Sequence, residues 1–261
     1  MKQMILVKLG GSVITDKGRY RTFDHATASR LAAEIASSGQ KVVLVHGAGS
    51  FGHMLAKENR LHLGVTEPSQ LIGAAKVMAD VRELDLEMSR CLTENGIPVV
   101  PLPPASCAVM KDGALDHLDV AVFRKYLELG MVPLTFGDVV TDATRGLSIC
   151  SGDQLMTALA QEFRPDKVIF VTDVDGVFTA DPTQDPEAKL IGTVNQAVLD
   201  SLPRTERNVD VTGSIFAKIQ YMIDMAGLTG ECLVLNGKVP GRLESALRGE
   251  WVVASKVVSG K

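Results

Sequence analysis

Two short apolar runs that break straight into glycine constrain this chain more than any other feature of it. Met4-Ile-Leu-Val-Lys-Leu9 runs into Gly10-Gly11-Ser12, and Lys41-Val-Val-Leu-Val-His46 runs into Gly47-Ala-Gly-Ser-Phe-Gly-His53. Runs of this kind read as strands buried on both faces, which belong in a parallel sheet covered by helices. A strand that turns through glycine into a helix presents unpaired backbone N–H groups at the helix's positive end, a ready site for an anion. The second loop spells G-x-G-x-x-G, yet its strand is second in the chain. Glu67, the acidic residue at the expected distance, stands between Gly64 and Pro68 and not at a strand end. No G-x-x-x-x-G-K-[ST] loop occurs. A tight turn with no ligand is the plain alternative for either loop taken alone.

With 261 residues, 46% of them hydrophobic, the chain can form one large α/β unit or two lobes. A net charge of −4 gives no broad basic field and argues against nucleic-acid binding, so any phosphate site must be built locally. Cys91, Cys107, Cys150 and Cys232 show no C-x-x-C spacing, which points away from a zinc cage or a disulfide framework and toward a reducing cytoplasm. The N-terminal apolar stretch is interrupted by Lys8 and falls far short of the roughly 18 residues of a membrane span. It reads as a first strand, with no signal peptide and no membrane anchor.

Apolar runs then alternate with amphipathic segments. Ala26 to Ser38 reads as a helix stopping at Gly39, and Ser69 to Asn95 as a long helix with Leu71, Ala74, Met78, Val81, Leu84, Met88 and Cys91 on one face. Ile97 to Pro101 reads as a strand, Ala108 to Leu115 as a hairpin turning at Asp112-Gly113, and Asp119 to Leu129 as a helix. Met131 to Phe136 is a strand, Gly137 to Gly146 a polar excursion, and Leu147 to Cys150 a strand delivering Ser151-Gly-Asp153 to the next helix. Lys167 to Thr172, Glu231 to Leu235 and Trp251 to Val258 read as further strands, and Thr212 to Gly227 as a helical segment. A boundary near Gln161 to Pro165 divides the chain into halves of 1–161 and 162–261.

Asp173-Val-Asp-Gly176 after a buried strand is similar to the aspartate motif of haloacid-dehalogenase-type phosphatases. The acidic Gly137-Asp-Val-Val-Thr-Asp142 precedes it, however, and Val177 stands where a threonine belongs. Holding a ligand, or a plain acidic turn, suits the motif better than nucleophilic attack. Asp153 on its own reads as a helix cap. Lys8 inside an apolar strand is costly to bury unpaired. Lys17, near Arg19 and Arg21, reads equally as a solvated loop residue, and His53 as an ordinary helix residue. His25, His62 and His117 show no ligand spacing.

In chain order, Lys8-Leu-Gly-Gly-Ser12, Val45-His-Gly-Ala-Gly-Ser-Phe-Gly-His53, Phe136-Gly-Asp-Val139, Ser151-Gly-Asp153, Thr172-Asp-Val-Asp-Gly-Val-Phe178, Asp181-Pro182 and Thr212-Gly-Ser-Ile-Phe-Ala-Lys218 together resemble the amino-acid kinase superfamily. Within it they resemble the kinases whose acceptor is isopentenyl phosphate, and His53 closing the glycine loop is the feature that separates that branch from relatives acting on carboxylates or UMP. The resemblance implies a three-layer αβα sandwich with a mainly parallel central sheet, an acceptor-binding N-terminal half and a nucleotide-binding C-terminal half.

By position, the resemblance implies that Lys8, Gly10, Gly11 and Ser12 face the ATP phosphates, that Lys17 stabilises the transferring phosphoryl group, and that Gly213 and Lys218 touch the ATP phosphates. Gly47, Ala48, Gly49, His53 and Gly152 would surround the acceptor phosphate, with Gly49 also near the nucleotide. Asp153 would orient the lysines, and Asp173, Asp175 and Gly176 would line the nucleoside pocket. Also implied are ATP with Mg²⁺ and no dedicated metal cage, isopentenyl or dimethylallyl phosphate as small-molecule substrate in isoprenoid biosynthesis, and a cytoplasmic homodimer. Part of the stripe containing Met78 and Val81 is expected to line the acceptor's hydrocarbon end. Ser214 stands where the family has a second glycine, and Glu250-Trp-Val-Val-Ala-Ser255 lacks an expected Gly-Thr pair. A fosfomycin-type kinase would share the lysines and the histidine; a noncatalytic nucleotide-binding relative should have lost Lys8, Lys17 or Lys218, all of which are present.

Overall fold

The computed structural model describes residues 4–202, 209–210 and 213–260. Its strands are β1 (Met4–Leu9), β2 (Lys41–His46), β3 (Val99–Pro101), β4 (Ala108–Lys111), β5 (Ala114–Leu118), β6 (Val132–Phe136), β7 (Asp138–Asp142), β8 (Gly146–Cys150), β9 (Lys167–Thr172), β10 (Thr193–Val194), β11 (Val209–Asp210), β12 (Gly213–Ser214), β13 (Glu231–Asn236) and β14 (Ala254–Val257). Its helices are α1 (Gly11–Ile14), α2 (His25–Ser38), α3 (Gly49–Glu58), α4 (Ser69–Glu94), α5 (Pro104–Cys107), α6 (Val120–Glu128), α7 (Gly152–Phe163), α8 (Gln196–Ser201), α9 (Ile215–Ala226) and α10 (Arg242–Arg248).

Local chemistry sets several of these boundaries. The Asp24 side chain accepts from the Thr27 N–H at the start of α2, and Gly39 ends that helix at φ 62°. Ser151 and Gln154 form a reciprocal capping box at the start of α7. The hairpin of β4 and β5 turns at Asp112 and Gly113, both at positive φ.

The central sheet has the order β10-β14-β13-β9-β1-β2-β6-β3, and β4, β5, β7 and β8 make a separate sheet. From β13 through β3 every neighbouring pair of the central sheet is parallel, while β13 and β14 are antiparallel. The period of two along β1 assigns its side chains to two cores. Ile5, Val7 and Leu9 pack with Leu31 of α2 and Leu84 of α4, whereas Leu6 joins Val43, Val45, Leu155 of α7 and Ile219 of α9. Helices on both faces of a mostly parallel sheet give the expected three-layer α/β architecture.

The parallel strands all end on one side, and β1 lies between β2 and β9, where the strand order reverses direction. A crevice outside the strand ends at such a switch point is the usual ligand site of open α/β sheets. Both glycine loops leave their strands there.

The 161/162 boundary falls in the last turn of α7, and strands from the two sides share one sheet through the β1–β9 pairing. The stretch expected as a polar excursion is instead strand β7, paired with β8. Its Asp138 and Asp142 are 2% and 4% exposed, because each carboxylate finds several donors. The expected strand from Trp251 shrinks to Ala254–Val257, with Trp251 in solvent. The last motif's helix begins at Ile215, after β12; Thr212 lies outside the described residues.

Candidate active site

A cleft of about 920 Å³ opens at the carboxyl ends of the central strands. Helices α1, α3 and α7 all begin at it. Among the described residues the N–H groups of Gly11, Ser12, Ala48, Gly49, Gly152 and Asp153 donate no hydrogen bond within the fold. These residues line the cleft, so the starts of three helices face one space, an arrangement suited to a polyanion. The glycines serve this indirectly. A Cβ at Gly11 would lie 2.5 Å from the Gly49 nitrogen, and one at Gly47 would lie 2.6 Å from the Gly11 nitrogen. The two loops therefore pack backbone to backbone, which holds their N–H groups at the cleft.

Basic side chains reach the same space from four elements. Lys8 points to the same face of β1 as Leu6, toward α7, where its Nζ lies 2.5 Å from Asp153 Oδ1. That pairing offsets the cost of burying both groups. Lys17 Nζ lies 3.2 Å from Asp173 Oδ2, and the Ser12 hydroxyl donates to Asp173 Oδ1 at 2.7 Å. Burial alone would raise the Asp173 pKa, but the Ser12 hydroxyl and the Lys17 ammonium hold it below the usual carboxylate range. His53, in the first turns of α3, and Lys218, in α9, are half-buried and also line the cleft. The loop carrying Lys17 is tied to α4, with the Tyr20 hydroxyl donating to Asp80 Oδ2 at 2.5 Å and Arg21 pairing with Asp80 at 3.5 Å.

The two ends of the cleft differ in lining. One, under the second sheet, carries Met54, Ala56, Val77, Val81, Val139 and Ile149. Of the expected stripe on α4, Val81 lines the cleft and Met78 does not. Met78 packs against the neighbouring apolar cluster, and Val77, one turn before Val81, takes the place at the wall. The other end is formed by Gly176, the turn around Asp181, and Phe216 and Met222 of α9. Asp138, which the sequence motif contained but to which no role was assigned, sits at the cleft. Its carboxylate is gripped by both terminal nitrogens of Arg82, at 3.2 and 3.0 Å. Burial pushes its carboxyl up, and Arg82 only partly offsets this. An aspartate kept between apolar residues in Phe136-Gly-Asp-Val139 was the available signal.

Asp175, expected at the nucleoside, accepts at Oδ1 from Asn236 at 3.1 Å and from Arg242 at 2.5 Å, which ties the loop after β9 to β13 and α10. Gly213 lies in β12, paired with β11 just ahead of α9. The remaining expected residues, Gly10 and Gly47 among them, come together around the cleft.

A nucleoside triphosphate fits this donor set, since the N–H groups and lysines face one elongated space. Among the described residues no group of three or more His, Cys, Asp or Glu side chains is arranged to hold an ion. A hollow of about 510 Å³ at the opposite strand ends includes Arg164, Asp166, Lys167 and Glu231, where the Lys167 ammonium is already engaged by the Ala246 carbonyl and by Glu231.

Fold, converging helix starts and paired lysines define a phosphoryl-transfer enzyme of α/β architecture. The sequence profile of the amino acid kinase family matches residues 3–236, and the chain belongs to that family. It is similar to isopentenyl phosphate kinase from Methanothermobacter thermautotrophicus, 38% identical over 97% of this chain and 98% of the relative. The enzyme of the same name from Thermoplasma acidophilum is 33% identical over 92% of this chain and 94% of the relative. A crystal structure of isopentenyl phosphate kinase superposes with a TM-score of 0.86 at 34% identity, covering 97% of this chain and 99% of that one. UMP kinase from Ureaplasma parvum, TM-score 0.67 at 17% identity over 98% of this chain and 99% of that one, shares the fold.

Proposed function

We propose that this protein transfers the γ-phosphoryl group of ATP to isopentenyl phosphate, giving isopentenyl diphosphate and ADP. The observation that carries the reading is the acceptor end of the cleft. There an anion-binding glycine loop followed by His53 stands beside an apolar wall of Val77, Val81 and Ile149. A phosphate with a short hydrocarbon tail suits both parts; an amino acid or a nucleotide base suits only the first. The relatives' names and their coverage of nearly the whole chain support the same acceptor.

The chemistry follows from charge. An oxygen of the acceptor phosphate attacks the γ-phosphorus while the bond from that phosphorus to the bridging oxygen of ADP breaks. A phosphate monoester has a second pKa near ~6 and is largely a dianion at neutral pH, so no base is needed to create the nucleophile. The protein's task is to hold like charges together and stabilise what builds up between them. Lys8, Lys17 and Lys218 supply positive charge, Gly10, Gly11, Ser12 and Gly213 cradle the ATP phosphates, and Ala48, Gly49, His53 and Gly152 receive the acceptor phosphate. Asp153 orients Lys8, and Asp173 holds Ser12 and Lys17 until the nucleotide arrives. When bound, Mg²⁺ would be held chiefly by the nucleotide's own phosphates and would supply positive charge to them. Residues 1–161 serve the acceptor and 162–261 the nucleotide, with the β1 loop common to both. The protein works as a cytoplasmic homodimer; four cysteines outside any disulfide support a reducing compartment.

Side-by-side ATP consumption with isopentenyl phosphate, dimethylallyl phosphate, fosfomycin, UMP, glutamate and carbamate tests the assignment. Isopentenyl phosphate should be the best acceptor, with dimethylallyl phosphate next. Turnover of UMP or an amino acid with none of isopentenyl phosphate overturns it.

A further inference from the structure

We infer that His46, braced by Asp85, is a positioning residue that turns the Ala48 N–H toward the acceptor phosphate; the inference rests on the acceptor site proposed above. His46 ends β2 and is fully buried. Its ring stacks on Phe136 with centroids 5.1 Å apart and planes 17° apart. Nδ1 lies 3.1 Å from the Gly47 carbonyl oxygen, and Nε2 lies 3.3 Å from Asp85 Oδ1. Both nitrogens thus face oxygen acceptors, and stacking and two polar contacts leave the ring one orientation.

The consequence lies in the next peptide. In a trans peptide the C=O of Gly47 and the N–H of Ala48 point in opposite directions. With the carbonyl held on the His46 side, the N–H is turned away from the ring, toward the cleft that Ala48 lines, and among the described residues it donates to nothing within the fold. Residues 47 and 49 are both glycine, so little steric cost opposes a flip of the peptides between them. A flip of the 47–48 peptide would aim a carbonyl dipole at an incoming phosphate in place of a donor. The His46 ring adds to the packing of the two loops in opposing that flip.

Asp85 extends the argument along α4. Val77, Val81 and Asp85 recur at intervals of four on one helix face. The first two form the apolar wall of the acceptor end, and the third, 5% exposed, braces the ring behind the phosphate loop. One face of one helix therefore reaches both ends of the acceptor.

The decisive variant is His46→Phe combined with Asp85→Leu. It keeps a ring against Phe136, removes the ring nitrogen that faces the Gly47 carbonyl, and leaves no buried carboxylate unpartnered, a double replacement that is often close to neutral for stability. Folding is checked by thermal melting. The expected result is a KM for isopentenyl phosphate raised about tenfold or more, with the KM for ATP changed by less than about twofold, and weaker binding of inorganic phosphate by calorimetry. A folded double variant with wild-type acceptor KM and wild-type phosphate binding overturns the inference. If wild-type protein turns over a different acceptor, the function above falls, while loss of inorganic-phosphate binding in the double variant still upholds the role of His46. An amide spectrum of the unaltered protein needs no variant: the Ala48 N–H should shift on adding inorganic phosphate, and an Ala48 signal that stays put while that of Gly49 moves overturns it equally.

Discussion

Asp138, at the end of the cleft proposed for the acceptor, accepts from two nitrogens of Arg82 and from the N–H groups of Ala105 and Val139, and is almost fully buried. At the end proposed for the nucleotide, Lys17 has a side chain 66% exposed and a 3.2 Å contact with Asp173, while Asp181 accepts from the hydroxyl and N–H of Thr183 in its own turn. The end proposed for the acceptor therefore holds its buried carboxylate fixed before any ligand arrives. The end proposed for the nucleotide keeps Lys17 extended in solvent, where a polyanion would neutralise it. Damage to the first should raise acceptor KM or lower stability, and damage to the second should lower kcat.

The strongest test of that contrast is Lys8, whose ammonium lies in the cleft beside the buried Asp153. Lys8→Ala should lower kcat by about 10² to 10³, in line with loss of a preorganised electrostatic contact. It should also destabilise the fold by about 3–5 kcal/mol, the usual cost of leaving a buried partner, here Asp153, unpaired. Lys8→Met with Asp153→Leu separates the two effects: melting temperature should recover and kcat should not. Recovery of both would make Lys8 a structural residue. Lys17→Ala and Lys218→Ala should lose roughly 10² in kcat with an unchanged melting temperature for Lys17→Ala, because exposed pairs contribute little to stability. Unchanged kcat in both would place the transferring phosphoryl group elsewhere.

His53 sharpens the comparison from the acceptor side. A hydrogen bond to a charged oxygen is worth roughly 1.5–3 kcal/mol, so His53→Ala should cost about ten- to a hundredfold in kcat/KM for isopentenyl phosphate. His53→Gln, which retains a donor, should fall between Ala and wild type, and the KM for ATP should hardly move. Wild-type acceptor kinetics in the Ala variant would remove His53 from the site. A smaller effect is expected from Val81→Ala, which lengthens the apolar wall's reach. Each methylene newly buried contributes about 0.8 kcal/mol, so preference should drift toward longer prenyl phosphates by about fourfold per methylene. Loss of stability with chain-length preference intact would show that Val81 is plain core.

Much of this contrast was legible before any coordinates. β1, β2 and β9 announced themselves as uninterrupted apolar runs, and Lys8 within one of them demanded a buried partner, which Asp153 supplies. What the sequence concealed was whatever depends on contacts distant along the chain. Asp138 and Asp142 looked like a polar excursion because their donors, Arg82 and the turn at Asp112-Gly113, come from other elements. The partners of Asp175 lie more than 60 residues away in β13 and α10, beyond the reach of any local pattern. The glycines suggested close approach of backbone to phosphate; hidden from the sequence was that Gly11 and Gly47 also allow one loop to approach the other. Met78 and Val77 are adjacent on the same helix, and only packing decides which faces the cleft.

Asp142 offers the mildest test, because it fixes the acceptor-end sheet without lining the cleft. It accepts from the N–H groups of Asp112, Gly113, Thr144 and Arg145 and from the Ser148 hydroxyl, all within 3.0 Å, and so ties the β4–β5 turn to the β7–β8 turn. Burial opposes the charged form, but the Ser148 hydroxyl and the N–H groups outweigh it and hold the carboxyl well below the usual carboxylate range. A depressed folded-state pKa means that the stabilisation is fully present above the unfolded value, about 3.9, and is lost as pH falls below it toward the folded pKa. Asp142→Asn places an NH₂ among donors and should lower the melting temperature near neutral pH, with kcat/KM for isopentenyl phosphate kept within about twofold because no reacting group is touched. Melting curves of both proteins from about pH 7 down to about pH 2.5 should show the gap between them narrowing below about pH 4. A gap constant across that range would mean that the shape of the side chain, and not its charge, joins the two turns.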